Sequence, residues 1–178
     1  MTLSPLSLRW FAILVIAIVT SDQVTKLAAV RLLEPRALDP AVEDPVVLIP
    51  RILNFRYAEN RGAAWSMLQD HPVFLTVLSS VVATVLLIWA LRLRKEEENL
   101  RWPLGLVLGG AIGNLIDRLL LGHVTDFIDV HWDEVYHFPT FNVGDSAICV
   151  GMGLLIWLSL TAPRPDEETA RKQGSTGA

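Results

Sequence analysis

Asp126 and Asp145 stand 19 residues apart where the chain leaves one apolar span and enters the next, in Val124-Thr125-Asp126-Phe127 and Phe141-Asn142-Val143-Gly144-Asp145. A carboxylate in a bilayer is costly, about 2.5–3.5 kcal/mol at a helix centre on insertion scales. Two of them at one membrane edge point to a pair of carboxyls that shares a proton, the chemistry of an aspartyl hydrolase. For Asp145 a second reading stays open: it could cap the helix that follows, where aspartate is common.

Three further clusters break the apolar pattern. Asp22-Gln23-Val24-Thr25-Lys26 closes the first span, with Asp22 and Lys26 at a spacing that lets them neutralise each other on one helix face. Self-pairing would explain those charges without chemistry. Glu59-Asn60-Arg61-Gly62-Ala63-Ala64-Trp65-Ser66 reads either as a turn and helix cap or as an amide aimed at a substrate backbone. In Gly113-Asn114-Leu115-Ile116-Asp117-Arg118, Asn114 and Arg118 face the same way, while Asp117 points to other partners.

Other chemistries are weakly supported. There is no Gly-x-Ser-x-Gly elbow, and a Ser66–Lys26 dyad would rest on availability alone. His123, His131 and His137 lie near Asp126, Asp129, Asp133 and Glu134, but no spacing matches a helical metal motif. His131-Trp132 and His137-Phe138 read instead as interfacial residues. The single cysteine, Cys149, excludes an internal disulfide and a cysteine-based zinc site.

The elements that must position these groups are membrane spans. The 178 residues are 52% hydrophobic and 19% charged, with mean hydropathy +0.41, values that fit a multi-span membrane protein. Four apolar stretches emerge: 8–20 with a weaker continuation to 30, 72–91, 102–116 continuing to 121, and 146–162. The expected fold is therefore all-α, four transmembrane helices with a small β-containing extracytoplasmic loop region. Short β-like runs at 46–50 and 52–57 supply the β part, with an ordered loop as the alternative. Gly105, Gly109 and Gly113 form a small-residue stripe along the third span, suited to close helix packing.

Arg92, Arg94, Lys95 and Arg101 crowd the loop between spans two and three and place it in the cytoplasm. Both termini then lie there too, and residues 31–71 and 122–144 lie outside. Residues 1–162 read as one membrane domain and 163–178 as a disordered cytoplasmic tail, rich in charge, Pro, Gly and Ser. The net charge of −4 says little about partners, and no basic stripe or aromatic-basic patch points to nucleic acid.

Taken together, the clusters resemble the lipoprotein signal peptidases (signal peptidase II, prolipoprotein signal peptidase). Five elements between residues 22 and 145 follow that family's order: Asp22–Lys26, Asn60–Trp65, Gly113–Arg118, Val124–Phe127 and Phe141–Asp145. The resemblance implies a membrane-embedded aspartyl endopeptidase of the bacterial inner membrane, working at the extracytoplasmic face without a cofactor. Its substrate would be a prolipoprotein whose cysteine carries diacylglycerol, cut just before that cysteine. By motif match the catalytic pair falls on Asp126 and Asp145. Asn60, Gly62, Asn114, Asp117, Arg118, Asn142, Asp22 and Lys26 fall on supporting or substrate-binding positions. The expected partners are the lipidated precursor and membrane lipids, and the expected state is a monomer. Gly144 departs from the family's usual alanine, and Trp65 from the commoner phenylalanine.

The rival reading is a small transporter or lipid-binding membrane protein using intramembrane carboxylates. A transporter more often places such groups near mid-membrane or repeats its halves. A non-catalytic assembly factor would leave the acidic pair unexplained.

Overall fold

The structure, a computed structural model, describes residues 5–39, 45–62, 71–133 and 135–161. The expected tail at 163–178 and residues 63–66 lie outside those described. Four helices are long and apolar enough to cross a membrane. Helix α1 spans Pro5–Leu32, α3 Pro72–Arg92, α4 Arg101–Leu120 and α5 Val143–Thr161, with a short α2 at Glu34–Leu38. Exposed Ile16, Val73, Val85, Trp89, Ile156 and Trp157 coat the outer surfaces, an apolar exterior suited to lipid rather than water.

The first helix is longer than its apolar run implies. It passes through Ser21–Lys26 unbroken because the polar side chains there are satisfied: the Thr25 hydroxyl donates to the Ser21 carbonyl at 2.8 Å, and Lys26 reaches Asp22 at 2.8 Å. On α3, Thr76, Ser80 and Thr84 each donate to the carbonyl four residues back, at 2.8–2.9 Å. Their hydroxyls are thereby consumed inside an apolar helix.

Helix α4 is the centre of the bundle, with 56% of its apolar span buried against 17% for each of the other three. The glycine stripe explains how. Gly105 faces Phe11 and Leu14, Gly109 faces Val15 and Ile18, and Gly113 faces Asp22, so one edge of α4 lies directly on α1. A Cβ at Gly113 would fall 2.3 Å from Asp22 Oδ2. Gly110, on the adjoining face, does the same for α5: a Cβ there would meet the Gly144 carbonyl at 2.2 Å. The apolar core away from the polar end combines Phe11, Ala83, Ala90, Leu93, Leu104 and Leu108.

Helix α4 stops at Gly122, whose φ of +78° turns the chain into a strand. Four antiparallel strands follow the order β1-β2-β3-β4: Val46–Ile49, Leu53–Asn60, Val124–Trp132 and Tyr136–His137. The β1 and β2 runs fall where the sequence places them. The third strand is a difference, because residues 122–144 read as a loop. Register pairs Leu53 with Val130, Ala58 with Asp126 and Asn60 with Val124, which joins the two long loops into one sheet. Phe127 and Ile128 N–H both donate to the Phe141 carbonyl, at 3.0 and 2.8 Å, the hydrogen-bond pattern of a β-bulge immediately after Asp126. A second apolar cluster, Ala29, Leu33 and Phe127 with Phe55, Ile128 and Val143, seats the sheet on the helix ends.

Candidate active site

Five elements converge at the end of the bundle that carries the sheet. Helix α1 brings Asp22, Gln23 and Lys26, and the end of β2 brings Asn60. The last turns of α4 bring Asn114, Asp117 and Arg118, β3 brings Asp126, and the entry to α5 brings Asn142 and Asp145. Asp22, Lys26, Asn60, Gly62, Asn114, Asp117, Arg118, Asp126, Asn142 and Asp145, the positions expected to form the site, all lie in this one region, whereas Ser66 lies outside the described residues.

The lower part is an ion cluster. Lys26 Nζ lies 2.8 Å from Asp22 Oδ2 and 3.1 Å from Asp117 Oδ2, and all three side chains are sealed from solvent. The remaining acceptor positions are filled. Gly144 N–H donates to Asp22 Oδ1 at 2.7 Å, and Thr125 N–H donates to Asp117 Oδ2 at 2.9 Å. The Gln23 amide donates to Asp117 Oδ1 at 2.9 Å and to the Gly113 carbonyl at 3.1 Å. Such a cluster survives burial only when every lone pair is met. It ties α1 to α4, to β3 and to the start of α5. The self-paired reading of Asp22 and Lys26 is therefore too small: the pair exists, but Lys26 also serves Asp117 and Asn114.

That last contact has a chemical consequence. Lys26 donates to Asn114 Oδ1 at 2.8 Å, so the amide nitrogen of Asn114 must face the other way. It donates to Asp145 Oδ1 at 2.8 Å. The ammonium thus orients an amide, and the amide holds a carboxylate.

Asn142 is the link between the two candidate aspartates. Its Nδ2 donates to Asp126 Oδ1 at 2.7 Å, and its Oδ1 accepts from Asp145 N–H at 2.9 Å. Its own N–H donates to Asp145 Oδ2 at 3.2 Å. The last two bonds form a reciprocal capping box on α5, with Asn142 as the cap and Asp145 three residues inside the helix. The capping reading of Asp145 is corrected accordingly: the cap is Asn142, and Asp145 is its partner. Gly144 sits in the first turn with its amide on Asp22, so the freedom of a glycine backbone is not used there.

Asn60 makes the turn of its first reading, and its amide is directed at Asp126. Its Oδ1 accepts from Gly62 N–H at 3.0 Å, closing a turn, which leaves Nδ2 to donate to Asp126 Oδ2 at 3.0 Å. Arg118 lies within electrostatic reach of Asp126 and Asp145 and donates to the Gly62 carbonyl at 3.2 Å and the Asn114 carbonyl at 3.4 Å. Asp117 takes none of these contacts, as its neighbouring position on the helix requires. Asp126 is 2% exposed, whereas Asp145 is half-buried. Burial, then the charge of Asp145, pushes the Asp126 carboxyl up to about 7 against the pull of its two amide donors.

Gln23, the Thr125 backbone and Gly110 are parts of this site that the sequence reading passed over as site residues. Gln23 and Thr125 lie inside clusters already conspicuous for their polarity. Nothing set Gly110 apart from the neighbouring stripe. Of the acidic and histidine residues at 123–137, His123 leans toward Glu59 at 3.8 Å, and Asp129, His131 and His137 gather along the sheet. Glu134 lies outside the described residues.

The frame is shared with solved proteins. Two solved bacterial membrane enzyme structures, determined by the in meso method, superpose with TM-scores of 0.70 and 0.67, each at 30% identity. The first match covers 84% of this chain and 87% of its counterpart, the second 86% and 94%. The class is thus a multi-pass membrane enzyme fold. A family model described as signal peptidase (SPase) II matches residues 14–161. The lipoprotein signal peptidase of Teredinibacter turnerae is 40% identical over 86% of this chain and 88% of that protein. That of Pseudomonas putida is 43% identical over 82% of each. The chain belongs to the signal peptidase II family, and is a peptidase.

Proposed function

We propose that the protein is an aspartic endopeptidase that removes the signal peptide from diacylglyceryl-modified prolipoproteins, cutting just before the lipidated cysteine. The observation that carries the mechanism is the Asn142 link, which binds one side chain to both aspartates while burial lifts Asp126 to about 7. Two carboxyls so joined hold one proton between them. Asp126 carries it at rest, and the first turn of α5 is the better place for the charge that remains, on Asp145.

In the forward step Asp145 takes a proton from water, whose oxygen bonds to the scissile carbonyl carbon. Asp126 gives its proton to the carbonyl oxygen, forming a neutral tetrahedral diol. Asp145 then returns a proton to the amine nitrogen as the carbon–nitrogen bond breaks, and Asp126 recovers its proton from a diol hydroxyl. Asn60, Gly62, Asn114, Asn142 and Arg118 hold the two carboxyls and the surrounding backbone. Asp22, Lys26 and Asp117 support them from below. The signal helix of the precursor lies in lipid beside the four spans, with its cleavage bond under the sheet. Residues 1–162 act as one functional unit, as a monomer, in contact with membrane lipids.

A mass-shift assay with purified protein and a synthetic precursor tests this reading. The expected result is release of the signal peptide from the diacylglyceryl form and none from the unlipidated form. Equal cleavage of both would refute the substrate assignment.

We also place the polar end and the sheet outside the bacterial inner membrane, with the loop at 93–100 in the cytoplasm, following Arg92, Arg94, Lys95 and Arg101. In intact cells, with Cys149 replaced by serine, an impermeant thiol reagent should modify Arg56→Cys and spare Glu97→Cys. The reverse labelling would invert the topology. The transporter reading finds no support in charges gathered at one end of an unrepeated bundle.

A further inference from the structure

We propose that Asp129, His131 and His137 form a binding site for a zinc-type divalent cation, separate from the aspartates and serving to clamp the edge of the sheet. The sequence offers no helical motif for it, because the ligands come from two strands. Asp129 and His131 are two apart on β3 and so share a face, and His137 on β4 is the direct cross-strand partner of His131. The two imidazoles stack with centroids 5.4 Å apart and planes within 14°. His137 Nδ1 is 3.9 Å from Asp129 Oδ1, and one ligand atom from each of the three residues lies within 4.8 Å of the others. Tetrahedral zinc, bound at about 2.0–2.2 Å, wants donors about 3.3 Å apart. The contraction needed is of the order that rotating two imidazole rings supplies.

Two further observations point to a ligand here. The Nδ1 of His131 is buried without a hydrogen-bond partner, a rarity for a polar atom in a folded protein. Asp129 is only 3% exposed, and its one ionic partner among the described residues is His137. A buried carboxylate so thinly paired is costly unless a cation joins it. Two imidazoles and a carboxylate suit zinc and its neighbours rather than magnesium or calcium, and they leave a fourth position for water. Asp129 is about 10 Å along the strand from Asp126, three residues at the usual rise. The ion is therefore a brace: it joins β4 to β3 at the strand that carries Asp126.

The test uses the full-length protein without a histidine tag, stripped with chelator in detergent and titrated with zinc and, separately, with cobalt. Expected are about one zinc bound per chain, a rise in Tm, and the visible absorption of tetrahedral cobalt. His137 is exposed, so His137→Gln leaves the fold intact, which the unchanged Tm of the stripped variant would verify. That variant should weaken zinc binding by at least the roughly tenfold that even an outer-shell partner is worth, and should lose the cobalt band. Absence of stoichiometric binding, or binding unchanged in His137→Gln, overturns the proposal.

Discussion

Replacing either Asp126 or Asp145 by asparagine should reduce turnover of a lipidated precursor about a thousandfold or more, and the double variant should be scarcely worse than either single one. Asparagine keeps the size of the side chain and one of the two acceptor oxygens that its neighbours use, but it exchanges no proton. A pair that passes one proton back and forth fails when either member is lost. Asp117→Asn is the comparison: with its carboxyl on Lys26, Gln23 and Thr125, it should lose less activity, or lose it together with stability. A stable, inactive Asp117→Asn beside an active Asp126→Asn would reassign the pair.

Asp126→Asn has a second expected signature. Burial and the charge of Asp145 push the carboxyl up to about 7 in the folded protein, from 3.8 in the unfolded chain. Its folded value is raised, so the folded state holds the extra proton between those limits. The stability it contributes is fully present below the lower value and is lost as pH rises through the higher one. As pH rises through 7 the parent's Tm should therefore fall, while that of the asparagine variant stays level. An inactive variant whose thermal stability no longer changes with pH in this range has lost a catalytic group, not its structure.

Lys26→Met should be the most damaging single change outside the aspartate pair. It leaves Asp22 and Asp117, at 0% and 3% exposure, facing each other without a cation. Removing one partner from a buried ion cluster costs about 3–5 kcal/mol. Thermal unfolding in detergent should show a large fall in Tm, and cleavage should be lost. Adding Asp22→Asn and Asp117→Asn to Lys26→Met should recover part of the stability without the activity. Without the ammonium, the oxygen of Asn114 keeps only the longer bond from the Asn142 amide, at 3.1 Å, and its amide nitrogen is held less firmly toward Asp145. Wild-type Tm and activity in Lys26→Met would mean the cluster is incidental.

Much of this architecture is legible in the sequence, and the exceptions share a cause. The apolar runs yield four spans because length and hydropathy are local properties. The aspartate pair stands out because each member sits in a polar cluster at a span end. The glycine stripe is readable because the spacing of four is itself the packing rule. What escapes is what depends on distant partners. β3 forms because six of its nine residues pair with β2, and that pairing brings Asn60 to Asp126. Lys26 reads as the neighbour of Asp22, yet Asn114, the amide it orients, is 88 residues away. Asp145 reads as a cap because the rule names its residue type. The same rule, applied with the reciprocal bond in view, transfers that role to Asn142. The cross-strand meeting of His131 and His137 likewise follows from register, which helical spacing motifs do not sample.

The central claim is that Asp126 holds the shared proton and gives it to the substrate. The most direct measurement is the pH dependence of kcat/KM for a diacylglyceryl precursor, which reports the ionisations of the free enzyme. With Asp126 titrating at about 7, kcat/KM should fall about tenfold per pH unit once that value is passed. An activity that instead climbs through pH 7 to an alkaline plateau would mean that a group must lose its proton there, and would contradict the assignment.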